Sequence, residues 1–245
     1  MLTVVILYWN RAKQMMKTLE SFTHSECQDF NVVIVDNNSP VPIELPSLPY
    51  EVRIIRLTNQ NYNFIAAHNY GFYYTLKEIC PDRIIMQHAE CYHKGDVISY
   101  ANRVNDETYI SFACYSIGTG GEPETVMIEN RPMKFDGDNA WYNHPTYRPR
   151  KTHFCSAITA NNLRKLNGFD ERFCDGLWYD DDYFLLQLER LGLKIELTTD
   201  PFVYHQNHEI AWGDAAPIYR NQILYNKLKN ETSYEAVHTL TPDFV

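Results

Sequence analysis

Hydrophobic and polar residues alternate in blocks along the first third of the chain, and each block has the length of one secondary-structure element. Apolar runs rich in β-branched residues predict strands, at residues 3–9, 31–35, 51–57 and 83–86. Apolar residues at helical spacing predict helices between them, at residues 12–22 and 65–79. These strands are too continuously apolar to leave one face in water. The pattern therefore predicts a parallel sheet covered by helices on both faces.

Polar clusters follow three of the predicted strands. Asn10 and Arg11 come after the first strand, residues 36–39 after the second and residues 88–90 after the fourth. Each cluster alone is more often a turn, because Asn, Asp and Ser favour turns for conformational reasons. In a parallel sheet, however, the carboxyl ends of the strands meet at one edge, and ligands bind there. We therefore expect a ligand site at this edge.

Composition and charge narrow the classes of protein. The 245 residues are 44% hydrophobic and 22% charged, which is typical of a compact globular fold and of the size of one α/β domain. The formal net charge of −9 argues against a protein that binds nucleic acid through its phosphates.

Targeting and redox signals are weak. No apolar run approaches the ~20 residues of a membrane span, and residues 1–9 lack the charged leader of a secretory signal. The six cysteines are scattered without a CxxC pair, so neither a disulfide framework nor a zinc module is expected. The sequence thus predicts a soluble, cytoplasmic protein with no transmembrane segment.

An acidic run in the second half precedes a helical pattern. Asp180, Asp181 and Asp182 come directly before residues 183–191, whose apolar positions recur at helical spacing. Acidic residues at a helix start are favoured by capping and by the helix dipole, so a structural role is one interpretation. Three acids exceed what a cap requires, and like charges in a cleft raise one another's pKa toward the range of a general base. Both interpretations stay open.

Several segments, taken together, resemble one family. In the first half they are VVILYWNRAKQMMKTLESF, NVVIVDNNS and NQNYNFIAAHNYGF; in the second half they are FCSAIT, LNGFDERF, the acidic run and VYH. In this order and spacing, over roughly residues 3–225, the chain resembles the family 2 glycosyltransferases. The resemblance implies the α/β fold of GT-A type, a Rossmann-like, mixed and mainly parallel sheet flanked by helices. It also implies an enzyme that moves a sugar from a nucleotide-diphosphate sugar to the hydroxyl group of a glycan or related acceptor.

The resemblance also implies how the chain is divided. We expect one GT-A domain over residues 1–245, with a nucleotide-sugar-binding half at about 1–100 and an acceptor and catalytic half at about 101–215. The remaining residues, 216–245, are expected to form a helical tail. Apolar residues on one side of residues 219–237 predict a helix docked on the body of the protein or on a partner.

Donor-binding residues follow from the resemblance. Asp36 matches a strand-end aspartate that accepts hydrogen bonds from the base of the donor. Asn61 and Asn69 match an Asn-x-Gly loop and an asparagine on the next helix; Asn63 replaces the glycine and is expected to keep its left-handed backbone. The implied donor-binding set is Tyr8, Asn10, Arg11, Asp36, Asn38, Asn61, Asn69 and His88.

The implied metal site departs from the family's Asp-x-Asp motif, because this chain has Gln-His-Ala-Glu-Cys at residues 87–91. Glu90 takes the place of the last aspartate, with His88 on the same face of an extended segment. His205 matches a histidine that many GT-A enzymes have near the metal or diphosphate, and His208 could substitute for it. We expect Glu90 and His205 to hold Mn²⁺ or Mg²⁺. In the alternative, His88 is a packed strand residue and Glu90 a solvated carboxylate.

The catalytic residues are assigned from the family's Glu-Asp pair, with which Asp180 and Asp181 align. Asp181 is expected to be the general base of an inverting single displacement, and Asp180 a neighbour that binds a hydroxyl group. An aromatic stretch either stacks on a sugar acceptor or packs under a loop; it comprises Trp141, Tyr142, His144 and Tyr147.

Two other functions compete with the transferase. A nucleotidyltransferase needs a Gly-rich phosphate loop after its first strand, and residues 7–13 contain no glycine. A non-catalytic sugar-binding relative of the family is the stronger alternative, because the Asp-x-Asp motif is eroded.

Overall fold

The computed structural model describes residues 1–58, 63–117, 140–208 and 215–244. The strands of this part of the chain are β1 (Leu2–Tyr8), β2 (Phe30–Asp36), β3 (Glu51–Arg56), β4 (Arg83–His88), β5 (Cys91–Lys94), β6 (Thr108–Ser111), β7 (Cys114–Ser116), β8 (Ala140–Tyr142), β9 (Cys155–Thr159), β10 (Lys194–Leu197) and β11 (Phe202–His205). The α-helices are α1 (Ala12–Phe22), α2 (Phe64–Tyr74), α3 (Val97–Ala101), α4 (Ala160–Leu166), α5 (Asp180–Arg190) and α6 (Ala216–Leu228).

The main sheet has seven strands in the order β10-β6-β9-β4-β1-β2-β3. β1 pairs in parallel with both β2 and β4, and β2 pairs in parallel with β3. β9 is antiparallel to its neighbours β4 and β6. The mixed, mainly parallel sheet predicted from the sequence is confirmed.

Both faces of the sheet are apolar. Successive residues of β1 point to opposite faces: Val4 and Ile6 pack in one buried cluster, and Val5 packs in the other. The first cluster includes Met15 and Phe22 of α1, and the second includes residues of α2, α4 and α5. This two-sided burial explains why the inner strands β1 and β2 are almost continuously apolar. The edge strand β3 differs from the expectation, because it is partly exposed and contains Glu51, Arg53 and Arg56.

A second, four-stranded sheet has the order β5-β11-β7-β8. β11 is antiparallel to β5, with His205 opposite Cys91. Because β5 follows β4 after a two-residue turn, this pairing carries the end of β11 to the carboxyl edge of the main sheet. The small sheet therefore brings His205 next to Glu90.

The C-terminal segment packs against the middle of the chain. The buried carboxylate of Glu171 accepts hydrogen bonds from the backbone N–H groups of Thr239 and Leu240, each at 2.6 Å. Phe244 is buried in the second cluster, and its N–H donates to Asn167 at 2.8 Å. Residues 236–244 thus hold the segment around Glu171 in place.

The helix predicted over residues 65–79 is α-helical as far as Tyr74 and continues as a π-helical turn, Thr75–Ile79, which ends at the left-handed Cys80. The predicted end of the C-terminal helix is wrong. The helix predicted over residues 219–237 ends at Leu228, because no apolar residue continues its spacing through the polar residues 229–233. None of the described helices is both long and apolar enough to cross a membrane.

Candidate active site

A cleft of about 460 Å³ opens at the carboxyl ends of β1, β2 and β4. The register of the sheet brings these ends together, since Tyr8 lies opposite Asp36 and Leu7 opposite His88. The cleft lies at the edge where the sequence predicts a ligand site. Its lining consists of Leu7, Trp9, Arg11, Asn37, Asn63, Phe64, His68, His88, Ala89 and Glu90.

Asp36 lies behind the wall of the cleft and is only 1% exposed. One carboxylate oxygen accepts from the Ser39 N–H at 2.9 Å, and the other accepts from Arg56 Nη1 at 3.0 Å. Asn37, which the sequence analysis did not select, lines the cleft in its place. Asp36 therefore shapes this loop, and both of its oxygens already have protein partners.

The other residues of the first two loops support the cleft mainly through their backbone. The ring of Tyr8 is buried in the core, while its carbonyl oxygen accepts from the Asn37 N–H at 3.0 Å. Asn10 and Asn38 both have left-handed backbone, with φ of 50° and 57°. Trp9 is 48% exposed and lines the cleft, so it offers an aromatic face that the sequence analysis missed.

The structure does not bring Asn69 to the cleft. Asn69 is fully buried; its side chain accepts from the Phe169 N–H at 2.9 Å and donates to the Phe169 carbonyl at 2.8 Å. These bonds tie α2 to the second half of the chain, which is a structural role. Asn61 lies outside the described residues.

Asn63 lines the cleft, but with a different backbone from the one expected. It has φ of −55° and ψ of 146°, so the expected left-handed conformation is wrong. The reason is that Asn63 caps α2, accepting from the Ile65 N–H at 2.9 Å, and a helix cap needs backbone in the β region. Its amide also donates to the Cys174 carbonyl at 2.7 Å.

Glu90 lies at the centre of a charged cluster at one end of the cleft. It is 7% exposed, and its Oε1 lies 2.6 Å from Arg11 Nη1. The Nε2 atoms of His205 and His208 lie 3.6 and 3.5 Å from the same oxygen. Burial alone would raise the pKa of Glu90, but the two histidines and the nearby charges outweigh it and hold the pKa well below its usual range.

This cluster fits a divalent transition-metal ion. One ligand atom from each of Glu90, His205 and His208 lies within 4.8 Å of the other two. One carboxylate oxygen and two imidazole nitrogens suit Mn²⁺ better than Mg²⁺, which prefers oxygen ligands. His208 is therefore a candidate metal ligand together with His205. The guanidinium group of Arg11 contacts the same carboxylate of Glu90 and would compete with a cation for it. His88 also lines the cleft, and burial lowers its pKa to about 4.

The acidic run begins α5 and is held by an unusual turn. Trp178 and Tyr179, directly before it, both have left-handed backbone, with φ of 63° and 65°. This conformation is strained for residues other than glycine. α6 holds the turn in place: Asn221 Nδ2 donates to the Trp178 carbonyl at 2.9 Å. Trp178 itself is 57% exposed beside the acids.

The acids of the run differ in environment. Asp180 is buried, whereas the side chain of Asp181 is 34% exposed. Burial, followed by the charge of Asp181, raises the pKa of Asp180 to about 7. Burial would also raise the pKa of Asp181, but the charge and hydrogen bond of His153 lower it below its usual value. Asp181 is therefore the ionised acid of the pair at neutral pH.

His153 is the main residue that the sequence analysis missed. Its Nδ1 contacts Oδ1 of Asp181, and its ring lies 5.4 Å from that of His88, centroid to centroid. His88 in turn lies 3.9 Å from Glu90. The two histidines thus connect the carboxylate at one end of the site with the acidic run at the other. A single histidine before a strand carries no sequence signal for this contact.

The first residues of the aromatic stretch, Trp141 and Tyr142, belong to β8 of the small sheet. Trp141 is 5% exposed, and its ring lies 5.0 Å from that of Tyr115 and 5.2 Å from that of Phe202. For Trp141, the packing interpretation is thus the one that the structure supports.

Known structures share this fold. The TarS protein of S. aureus, solved with UDP-GlcNAc, aligns with a TM-score of 0.63 and 13% identity, over 91% of this chain and 65% of that chain. The mannosyltransferase PcManGT of Pyrobaculum calidifontis, solved with GDP-Man and Mn²⁺, aligns with a TM-score of 0.57 and 13% identity, over 92% of this chain and 64% of that chain. At such identities the likeness shows the fold alone, which is GT-A. This chain therefore spans less than two thirds of the length of either structure.

Sequence comparison identifies the family. No curated protein sequence matches the chain at a significant level. The model of glycosyl transferase family 2 matches residues 3–167, which is more than half of the 245 residues. The chain belongs to glycosyl transferase family 2.

Proposed function

We propose that this protein transfers a sugar from a nucleotide-diphosphate sugar to a hydroxyl acceptor, with inversion and with Asp181 as the general base. One observation carries the proposal: a single site combines a carboxylate-imidazole cluster around Glu90 with an ionised, partly exposed Asp181, connected through His88 and His153. Family membership and the complexes of the GT-A neighbours with UDP-GlcNAc and GDP-Man support the same donor class.

The donor lies in the cleft, with its nucleotide toward the first two loops. Asn37 offers amide groups to the base, and Trp9 offers an aromatic face. Asp36 holds the loop that carries Asn37, through Ser39 and Arg56. In this arrangement Tyr8, Asn10 and Asn38 contribute through the backbone of the two loops, and Asp36 affects donor affinity through the shape of the loop.

The diphosphate lies toward Glu90. A divalent cation held by Glu90, His205 and His208 would neutralise the charge that develops on the leaving diphosphate. Arg11 lines the same end of the cleft and adds a fixed positive charge there. Without the cation, the guanidinium group of Arg11 compensates the buried charge of Glu90.

The chemical step is one displacement at the anomeric carbon. A lone pair of the acceptor oxygen forms a new bond to the anomeric carbon. At the same time the bond between the anomeric carbon and the diphosphate oxygen breaks, and the electron pair of that bond leaves with the diphosphate. The hydroxyl proton passes to the carboxylate of Asp181. Attack from the side opposite the leaving group inverts the configuration. Asp180, protonated in part near pH 7, donates a hydrogen bond to a hydroxyl group of the acceptor.

A non-catalytic sugar-binding relative is the second candidate. It is favoured by the ion pair between Arg11 and Glu90, which neutralises the remaining carboxylate of the eroded Asp-x-Asp motif.

A donor panel tests the proposal. We expect one of the UDP-, GDP- or dTDP-sugars to raise the melting temperature, because a ligand at 100 times its Kd adds about 2.7 kcal/mol of stability. The same donor, incubated with Mn²⁺, should then be hydrolysed slowly or transferred to an added sugar acceptor. Binding without any turnover would favour the sugar-binding relative. Failure of every sugar nucleotide to bind would contradict both candidates.

A further inference from the structure

His153 occupies a rigid position next to the acidic run. It comes two residues before β9, which lies between β4 and β6 inside the main sheet. Its side chain is 7% exposed, and its ring packs against Phe169 with the centroids 4.7 Å apart. The inner strand and the packing on Phe169 therefore restrict movement of the His153 side chain.

The contact between His153 and Asp181 is asymmetric. Nδ1 of the imidazole touches Oδ1 of the carboxylate, yet the side chain of Asp181 is 34% exposed while that of His153 is 7% exposed. The carboxylate thus stands on the open side, and the imidazole stands behind it. An acceptor can reach Asp181 while His153 stays covered.

We propose that His153 is a positioning residue for Asp181, which fixes one orientation of the carboxylate and keeps it charged while an acceptor is bound. This inference rests on the proposed function, because it assigns His153 a task in the same reaction. The acceptor proton goes to the exposed oxygen of Asp181, and the resulting carboxylic acid keeps its Oδ1 on His153. The proton then leaves to solvent from the exposed side, so that His153 neither gains nor loses an atom in the cycle.

The surroundings explain why Asp181 needs such a partner. Burial and the neighbouring acids favour its protonated form, and burial has already raised the pKa of Asp182 as well as that of Asp180. The charge of Asp181 in turn raises the pKa of His153 against burial, so each partner favours the charged form of the other. The titratable and charged groups around the pair are Asp180 and Asp182 on α5, His68 on α2, His88 on β4, Tyr109 on β6, and Arg150 ahead of β9.

The pH profile of transfer distinguishes this role from a structural one. In His153→Gln the pKa of Asp181 should rise, because burial then acts without the opposing charge and hydrogen bond of the imidazole. The acid side of the pH profile of transfer should therefore shift to higher pH than in wild type, so that the rate falls more between pH 8 and pH 6. His93→Gln removes another buried imidazole, one that bonds Gln87, and is the matched control. It should leave the shape of the profile unchanged. An equal loss for His153→Gln at every pH would overturn the proposal.

A second measurement does not depend on activity. The histidine resonances are titrated by NMR in wild type and in Asp181→Asn, with the His153 signal assigned through its loss in His153→Gln. We expect the pKa of His153 to fall in Asp181→Asn, because burial then acts without the opposing charge. An unchanged His153 titration would overturn the pairing even in an active transferase. A protein that shows the His153 shift but turns over no donor would instead contradict the proposed function.

Discussion

Adjacent carboxyl groups at the start of α5 differ in pKa because they differ in partner. Asp180 is buried beside another acid, whereas Asp181 touches an imidazole and reaches solvent. A base must be ionised and accessible before the acceptor arrives, and of these two residues only Asp181 combines both properties.

Asp181→Asn should abolish transfer while fold and donor affinity stay nearly unchanged. The amide keeps the size of the carboxylate, and Asp181 makes no side-chain cap of α5 that would be lost, but the amide cannot accept the proton. A general base contributes typically 10²–10⁴-fold, so a rate loss of about that size is expected. Initial transfer rates measure it, with the melting temperature and donor affinity alongside. Asp182→Asn, which removes an acid from the same helical turn, is the control and should lose much less. If Asp181→Asn keeps more than about a tenth of the rate, the base is another residue.

Glu90→Gln should remove the metal dependence of donor binding. The amide has nearly the same shape as the carboxylate, but a neutral oxygen is a much weaker ligand for Mn²⁺. Calorimetry with the donor, with and without Mn²⁺, measures the effect. Glu44→Gln changes an exposed glutamate and is the control. Equal metal dependence in Glu90→Gln and wild type would mean that the cation is bound elsewhere or is not used.

At the level of single elements, the turn before α5 holds the acidic run at a conformational cost. Two consecutive left-handed residues that are not glycine cost about 1–3 kcal/mol each. The hydrogen bond from Asn221 and the packing of Tyr179 against Tyr225 offset part of this cost. The turn thereby fixes where the first residues of α5 point.

Trp178→Gly should be more stable than Trp178→Ala. Both variants remove the exposed indole, but only glycine adopts left-handed backbone without strain. The release of about 1–2 kcal/mol of strain exceeds the extra chain entropy of glycine, and the net difference should be about 0.5–1 kcal/mol. Urea denaturation of the two variants measures it. The same pair of substitutions at Trp9, where no left-handed backbone occurs, is the control and should favour alanine. A Trp178→Ala variant as stable as Trp178→Gly would show that the turn is not strained.

The inner strands of the first half could be predicted from the sequence because their residues are buried on both faces. β1, β2 and β4 are continuously apolar for that reason, and the polar residues at their ends form the cleft. The strands of the small sheet have three or four residues each, which is too short for a recognisable period. The contact of His153 with Asp181 joins residues 28 positions apart and depends on the tertiary fold alone. For Asp36 and Asn69, position in a motif does not reveal that protein groups already occupy their polar atoms.

For the molecule as a whole, buried neutral histidines make stability depend on pH. Burial lowers the pKa of His93 to about 3, whereas in the unfolded chain the pKa is near 6.5, the ordinary value for histidine. Between these values the unfolded chain binds a proton that the folded protein does not. Above pH 6.5, His93 therefore does not change the free energy of unfolding. As the pH falls below 6.5, His93 lowers the free energy of unfolding by about 1.4 kcal/mol per pH unit.

His93→Gln should flatten this dependence. Between pH 7 and pH 5, the free energy of unfolding of the His93→Gln variant should fall by about 2 kcal/mol less than that of wild type. The raised pKa of Asp180 changes stability with pH in the opposite direction. Because Asp180 is present in both proteins, its effect cancels in the comparison, and the difference reports on His93. Denaturant unfolding at the two pH values measures the difference. His24→Gln, at an exposed histidine, is the control. Parallel curves for His93→Gln and wild type would mean that His93 is protonated in the folded protein.

The docking of the C-terminal segment on Glu171 has a consequence for synthesis of the protein. Thr239, Leu240 and Thr241 supply backbone donors to that carboxylate, and Glu171 in turn bonds Asn69, about a hundred residues earlier. Until residues 239–241 have left the ribosome, these donors cannot reach Glu171. Glu171 then needs water as its partner, and the segment after α4 cannot close over α2. The sheet of the first half can form before residues 239–241 have left the ribosome, but the region behind the acidic run is completed only after they have emerged.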